Sequence, residues 1–143
     1  MTGIRFSFPV RVYYEDTDHG GVVYHANYLK FLERARSEFM RTLGIELDVI
    51  DESHGILFAL TEAQVRFKKP ARFNDMLIIE TGLASLGGVR LSFEQSIYHQ
   101  DSKQLLVEAT IDLASIDRAG KVRRMPAPVA QALSNHLLPQ EHA

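Results

Sequence analysis

The most informative absence in this sequence is cysteine, of which there is none. Without a thiol the chain cannot form a disulfide framework, a thiolate nucleophile or a cysteine-ligated zinc site. Long apolar runs are also missing, so no segment is expected to span a bilayer, and the first residues do not resemble a signal peptide. We therefore expect a cytoplasmic protein with no stable membrane insertion.

A dominant charge of either sign is absent as well. The chain has 16 lysine and arginine residues and 18 aspartate and glutamate residues, which gives a net charge of −2 over 143 residues. This balance argues against a general nucleic-acid or membrane-surface binder. Hydrophobic residues make up 45% of the chain and no linker or repeat interrupts it, which predicts one globular domain over residues 1–143.

The motifs of several common enzyme classes are missing. No Gly-x-Ser-x-Gly elbow is present, which excludes the usual serine-hydrolase site. Neither a P-loop nor a Gly-x-Gly-x-x-Gly pattern occurs. The six histidines show no spacing typical of paired metal ligands, so we expect neither a metal site nor a cofactor.

Periodic patterns in the chain indicate an α+β domain. Apolar residues alternate with polar ones over residues 4–14, which predicts a first strand, and Pro9 within it favours a sheet edge or a bulge. A stripe at helical spacing predicts one long helix over about 26–43, ended by Gly44. A short C-terminal helix is predicted after Pro126. Alternating segments predict four more strands, at about 57–67, 76–85, 88–99 and 104–116.

This order of elements predicts a five- to six-stranded antiparallel sheet wrapped around one long helix. One helix cannot cover every edge of such a sheet. Because an open edge is removed when a second copy pairs with it, a homodimer is predicted, and a homotetramer is not excluded.

The stretch YYEDTDHGGVVYHANY, residues 13–28, is unusually polar for a junction between a strand and a helix. Asp16, Asp18 and Asn27 are residue types that close turns and cap helices, so one interpretation is purely structural. The other is catalytic, because amides at a helix start can hold a polarised carbonyl oxygen and an upstream carboxylate can serve as nucleophile or general base. His25 could orient a group or carry a proton there. Spacing alone does not decide which aspartate reacts.

The motif DTDHGGVVYHANY, followed by LKFLERAR, resembles the signature of hotdog-fold thioesterases. It is most similar to the 4-hydroxybenzoyl-CoA thioesterase-like family, in the branch of acyl-CoA thioesterases associated with the Tol-Pal cell-envelope system. The similarity extends from FPVRVYYEDTD through RFKKPARFNDML to DRAGKVRRMP. This resemblance implies a hotdog fold, dimers or tetramers with the site at the dimer interface, and hydrolysis of acyl-CoA to a free acid and coenzyme A.

For individual residues, the resemblance implies that Asp18 is the catalytic carboxylate. It places His25 where the helix opens and where a backbone N–H polarises the thioester carbonyl, and it implies a functional role for the imidazole. Tyr24 and Asn27 match positions that line the same turn and are predicted to contact substrate. Whether Asp18 attacks the thioester or activates water stays open.

Coenzyme A carries phosphates, and basic residues occur in VRFKKPAR, after Gly87-Gly88 and in GKVRR. Such side chains hold phosphates well, although each of them also fits a solvated strand or turn. Lys69, Arg90 and Arg123 are the predicted phosphate-binding residues.

A function of another class stays open at this stage. A dimer with this fold could serve as a non-catalytic scaffold that binds acyl-CoA or acyl carrier protein in envelope-lipid metabolism. The presence of both Asp18 and His25 favours the enzyme, because a scaffold would need neither. The sequence does not specify the length of the acyl group or whether it is aliphatic or aromatic.

Overall fold

The computed structural model describes residues 5–139. The predicted start of the first strand at Ile4 lies outside the described residues. Within the described range the chain forms five strands, three α-helices and one 3₁₀ turn at Tyr14–Asp16. The strands are β1 (Phe6–Arg11), β2 (Ile56–Phe67), β3 (Met76–Leu86), β4 (Arg90–His99) and β5 (Leu105–Asp117), and the helices are α1 (Asn27–Thr42), α2 (Leu47–His54) and α3 (Ala127–Ser134).

All five strands form one antiparallel sheet in the order β1-β3-β4-β5-β2. Strands β3, β4 and β5 follow one another through hairpins, whereas β1 and β2 occupy the two edges. The long helix α1 packs on one face of this sheet. The predicted α+β class, antiparallel sheet and single long helix are therefore confirmed, and the arrangement is that of a hotdog fold.

Helix α1 packs on the sheet through the apolar stripe that its sequence predicts. Its buried side chains include Tyr28, Phe31, Leu32 and Phe39. Phe31 and Leu32 are 0% exposed, and burying side chains of this size stabilises the fold by about 1.5–3 kcal/mol each. The helix ends at Thr42, and Gly44 stops it from continuing, as predicted, because this residue adopts a φ of +81° that other residues rarely tolerate.

One polar residue, Gln95, lies buried between α1 and the sheet. Its side-chain amide donates to the carbonyl oxygen of Leu32 at 3.0 Å and to the hydroxyl of Thr81 at 2.9 Å, and its oxygen accepts from Arg36 at 3.0 Å. Burial lowers the pKa of Arg36 to about 10, although the charge of Glu33 opposes this effect. These bonds fix the middle of α1 over the centre of the sheet.

The two edges of the sheet differ in length and in their side chains. Strand β1 spans 6 residues and contains Pro9, which suits an edge position as predicted. Strand β2 spans 12 residues and carries the exposed apolar side chains of Leu60 and Phe67, which are 51% and 55% exposed. The long, apolar edge of β2 is the one that a second chain could cover. None of the helices within residues 5–139 is long and apolar enough to cross a membrane.

Candidate active site

The loop between β1 and α1 folds into a tight turn that is held against the sheet. The amide of Asp18 donates to the carbonyl of Val22 at 2.9 Å. Gly21 lies within this turn with a φ of +78°, a conformation that favours glycine. The amide of Val23 donates to the carbonyl of Ala71 at 2.8 Å. The turn is thereby fixed to the segment that follows β2.

Asp16 is the buried carboxylate of this loop. It is 7% exposed, and its two oxygens accept hydrogen bonds from the amide of Tyr13 at 2.8 Å and from the side chain of Asn27 at 2.9 Å. Its backbone carbonyl accepts from the amide of Tyr24 at 2.9 Å. Since Asn27 is the first residue of α1, Asp16 joins the loop to the helix start and has a structural role.

Asp18 is exposed and only partly engaged. Its Oδ1 accepts a hydrogen bond from the amide of Gly20 at 2.8 Å, which is the Asx-turn of the structural interpretation. Its Oδ2 accepts no hydrogen bond from any residue between 5 and 139. One carboxylate oxygen of Asp18 is therefore free to accept a proton or to attack a carbonyl carbon.

The start of α1 supplies backbone donors beside this carboxylate. The first hydrogen bonds at this end join the amide of Asn27 to the carbonyl of Tyr24 and the amide of Leu29 to the carbonyl of Ala26. The amide of His25 donates to no acceptor within the described residues. Free amides at a helix start carry partial positive charge and can hold a developing oxyanion.

Asp18 and His25 line the same open cleft, whose volume is about 310 Å³. The prediction that the turn and the helix start form one site is consistent with this placement. Within residues 5–139, no three histidine, aspartate or glutamate side chains are arranged to hold a metal ion. Other residues that line the cleft are Tyr28, Phe67, Lys68 and Lys69.

Tyr28 belongs to the cleft although the sequence placed it only in the apolar stripe of the helix. Its hydroxyl oxygen accepts a hydrogen bond from the amide of Ala71 at 3.0 Å. Burial raises the pKa of Tyr28, and the negative charges of Asp75 and Asp18 add to this effect, while the bond from Ala71 opposes it. The sequence held one signal for this role: Tyr28 carries a hydroxyl in an otherwise apolar stripe, one helical turn beyond His25.

Of the three predicted phosphate-binding residues, only Lys69 lies at the cleft. The start of β4 at Arg90 pairs with Ala114 of β5, whereas Phe67 at the cleft pairs with Val107. These two positions on β5 are roughly 23 Å apart at ~3.3 Å per residue. Arg90 therefore lies at the opposite end of the sheet from Asp18 within one copy of the chain.

Arg123 lies at that distant end too. Its Nε is 3.1 Å from Oδ2 of Asp117, and its amide donates to the carbonyl of Ser115. The neighbouring Arg124 packs over Gly88, where an added Cβ would lie 2.9 Å from the guanidinium. Arg90, Arg123 and Arg124 therefore all lie at the end of the sheet opposite the Asp18 cleft.

Tyr24 and Asn27, the other predicted substrate-binding residues, flank the cleft without lining it. Tyr24 is 46% exposed, and its ring centroid is 4.4 Å from that of His25. The side chain of Asn27 donates to Asp16. Contact of either residue with substrate stays a prediction.

A second groove of about 370 Å³ lies between α1, α2 and the β2 side of the sheet. It is more apolar than the cleft, and Arg36 and Glu33 of α1 also border it. The apolar side chains that line it include Leu29, Met40, Phe58, Leu60, Phe93 and Ile111.

Known proteins resemble this chain over most of its length. A family model described as the thioesterase-like superfamily matches residues 12–133. The acyl-CoA thioesterase YbgC of Haemophilus influenzae is 40% identical over 133 residues, which are 92% of this chain and 96% of that protein. The acyl-CoA thioester hydrolase YbgC of Escherichia coli O6:H1 is 42% identical over 117 residues, 82% of this chain and 86% of the relative.

Solved structures give the same result. The crystal structure of a probable thioesterase from Bartonella henselae has a TM-score of 0.81 and 39% identity, and the match covers 86% of this chain and 100% of that one. The predicted hotdog fold and the predicted class of enzyme, a thioester hydrolase, are both confirmed by these relatives. The finer assignment to the Tol-Pal branch stays a prediction.

Proposed function

This chain belongs to the thioesterase-like superfamily, and we propose that it hydrolyses acyl-CoA thioesters to a free acid and coenzyme A, with Asp18 as the reacting carboxylate. The observation that carries the proposal is that Asp18, His25 and two lysines line one cleft, and that within residues 5–139 Oδ2 of Asp18 and the amide of His25 have no hydrogen-bond partner. The names of the relatives support acyl-CoA as the substrate class.

The helix start acts on the thioester carbonyl in this proposal. As a nucleophile adds to the carbonyl carbon, negative charge develops on the oxygen, and the amide of His25 donates a hydrogen bond to it. A donor fixed in advance stabilises this charge without reorganisation and is commonly worth 10²- to 10³-fold in rate, as an order of magnitude. The exposed imidazole of His25 borders the same cleft and orients the bound thioester.

Asp18 brings a nucleophile to the carbonyl carbon by one of two routes. In the first, Oδ2 attacks the carbonyl carbon and forms an acyl-enzyme anhydride, which water then hydrolyses to the free acid and the Asp18 carboxylate. In the second, Oδ2 takes a proton from an attacking water. In both routes the C–S bond breaks and coenzyme A leaves as a thiolate, which needs little help from an acid.

A second copy of the chain would bring Arg90 and Arg123 to the cleft. Antiparallel pairing of two β2 strands about their midpoints places the start of one strand, at Ile56, beside the end of the other, at Phe67. Because Arg90 and Arg123 lie near the Ile56 end of their own sheet, each copy presents them toward the Asp18 cleft of the other. Lys69 from one copy and both arginines from the second would then hold the phosphates of one coenzyme A.

The same pairing offers a place for the acyl group. Phe67 lines the cleft, and Phe58 lines the apolar groove near the opposite end of β2. In the paired sheet the groove of one copy therefore adjoins the cleft of the other. Each buried methylene of an acyl chain adds about 0.8 kcal/mol, so the depth of this groove sets the preferred chain length.

The experiment that tests the function is thiol release from a panel of acyl-CoAs, with short, long and aromatic acyl groups and one acyl carrier protein thioester. The wild type is compared with Asp18→Asn and with Asp101→Asn, an exposed aspartate in the hairpin turn between β4 and β5 that does not line the cleft. We expect turnover by the wild type and by Asp101→Asn and none above background by Asp18→Asn. Tight binding of acyl-CoA without any thiol release would reject the enzyme in favour of a scaffold.

A further inference from the structure

Tyr28 is a buried side chain whose hydrogen-bonding capacity is only half used. A phenol has one O–H donor and acceptor lone pairs on the same oxygen. The amide of Ala71 uses a lone pair of Tyr28, but no acceptor for its O–H exists within residues 5–139. The side chain is 3% exposed and borders the Asp18 cleft. A buried donor that the protein itself does not use has a cost unless something in the cleft accepts its proton.

We propose that Tyr28 is a positioning residue that donates its phenolic hydrogen to the water attacking the thioester, while Oδ2 of Asp18 accepts a proton from that water. This inference rests on the function proposed above and decides between its two routes. It assigns to Asp18 the role of general base.

Asp18 can still accept a hydrogen bond, and Tyr28 can still donate one. Oδ1 of Asp18 already accepts from Gly20, and among residues 5–139 its Oδ2 has no donor. The oxygen of Tyr28 already accepts from Ala71, and its hydrogen has no acceptor in the part of the chain that the structure describes. A water between them would accept from the phenol and donate to the carboxylate, which leaves a lone pair for the carbonyl carbon. Burial raises the pKa of Tyr28, and the charges of Asp75 and Asp18 add to this effect, so the phenol keeps its proton.

The step balances with these groups alone. The water oxygen bonds to the carbonyl carbon, one water proton passes to Oδ2 of Asp18, and the carbonyl electron pair moves to the oxygen held by the His25 amide. The C–S bond then breaks, coenzyme A leaves with the electron pair, and Asp18 returns its proton to the thiolate or to solvent. Tyr28 keeps its proton throughout the reaction. It stops donating to the water only when the phenol ionises.

A purely structural role for Tyr28 makes a different prediction. In that case the hydroxyl would only hold the segment at Ala71 against α1. A phenolate accepts the Ala71 hydrogen bond better than a phenol does, so ionisation of Tyr28 would leave this contact intact. Donation to water, in contrast, ends when the proton is lost.

The test is the pH dependence of kcat for Tyr28→3,5-difluorotyrosine, whose phenol ionises at lower pH and whose shape is nearly that of tyrosine. The matched control is the same replacement at Tyr98, a half-buried residue on β4 that does not line the cleft. We expect an alkaline loss of activity that moves to lower pH in the Tyr28 variant and stays at the wild-type position in the Tyr98 variant. An alkaline limb that stays where the wild type has it would overturn the proposal.

Two further measurements keep the inference separate from the function on which it rests. Tyr28→Phe should lower kcat by ~10- to 10²-fold, as expected for loss of one positioned hydrogen bond in the transition state, with a much smaller change in KM. In a single turnover in ¹⁸O-water, the label should enter the product acid. Unlabelled acid from the first turnover would show attack by Asp18 and overturn the water route while leaving the thioesterase intact, whereas a wild type that releases no thiol would overturn both.

Discussion

Asp16 and Asp18 lie two residues apart on one loop, yet their surroundings are opposite. Asp16 is 7% exposed, and both of its oxygens are filled by donors from Tyr13 and Asn27. Asp18 is exposed and keeps one oxygen without a donor in the described chain. The buried carboxylate builds the loop because its bonds are complete. The exposed one is available for chemistry because its bonds are not.

The same contrast, between groups whose partners are complete and groups with a partner missing, recurs elsewhere in the described residues. Arg123 is paired with Asp117 at 3.1 Å, whereas Lys69 forms no ion pair within residues 5–139 and faces the cleft. Strand β5 is hydrogen-bonded on both sides, whereas one side of β2 pairs with no other strand of the described residues. The open oxygen of Asp18, the unpaired Lys69 and the open side of β2 are where we place substrate or a second copy.

The largest expected effect is the loss of turnover in Asp18→Asn. An asparagine oxygen can still accept from Gly20, so the turn and the thermal stability should be retained. The amide is neither a base nor an effective nucleophile, so kcat should fall by about 10²- to 10⁴-fold. Thiol release and thermal unfolding measured on one sample check both statements. Wild-type turnover in this variant would remove Asp18 from the mechanism.

The second effect is the loss of stability in Asp16→Ala. This change leaves the amide of Tyr13 and the side chain of Asn27 without their acceptor, and an unsatisfied buried donor costs roughly 1–3 kcal/mol. The free energy of unfolding in urea should decrease by about 2–3 kcal/mol. Asp101→Ala, in an exposed turn, is the control and should change little. An Asp16→Ala variant as stable as the wild type would mean that the loop does not depend on this carboxylate.

Most of the fold could be predicted from the sequence because its periodic patterns are unambiguous. The alternation over residues 88–99 matches β4, which begins at Arg90, and the helical stripe over 26–43 matches α1 within one residue at each end. Gly44 marked the helix end because its left-handed conformation is costly for other residues. Local patterns suffice when burial on one face decides the structure.

The site was harder to predict because it depends on contacts between distant segments. The sequence could not distinguish Asp16 from Asp18, since only the bond between Asp16 and Asn27 across the loop separates their roles. Tyr28 was missed because its apolar neighbours explain its position without its hydroxyl. The separation of Arg90 from the cleft follows from strand register, which no local pattern encodes.

The third effect concerns the open edge of the sheet. Leu60 on β2 is 51% exposed, and a second copy that pairs along β2 would bury it. Leu60→Lys should therefore weaken the dimer by tens-fold or more, because an edge lysine opposes strand pairing. Thr110→Lys, at an exposed position of β5, should leave the dimer unchanged. Sedimentation over a range of concentrations checks this, and an equally stable dimer in both variants would exclude pairing along β2.

The smallest expected effect tests whether Lys69 binds a phosphate of coenzyme A. Lys69→Ala should raise KM for acyl-CoA about 2- to 5-fold, the range of a solvent-exposed ion pair, and leave kcat nearly unchanged. With an acyl thioester of N-acetylcysteamine, which has no phosphates, the variant and the wild type should have the same KM. An equal increase for both substrates would show that Lys69 does not bind phosphate.

The most direct test of the contrast between the two aspartates is the turnover of Asp16→Asn beside that of Asp18→Asn. An asparagine at 16 can keep the hydrogen bonds to Tyr13 and Asn27 if the side-chain amide of Asn27 rotates. This variant should therefore be folded at the temperature of the assay. With saturating acyl-CoA we predict turnover within tenfold of the wild type for Asp16→Asn and at least a hundredfold loss for Asp18→Asn, in the range for loss of a general base. The reverse result, with Asp18→Asn active and folded Asp16→Asn inactive, would contradict the assignment of Asp18.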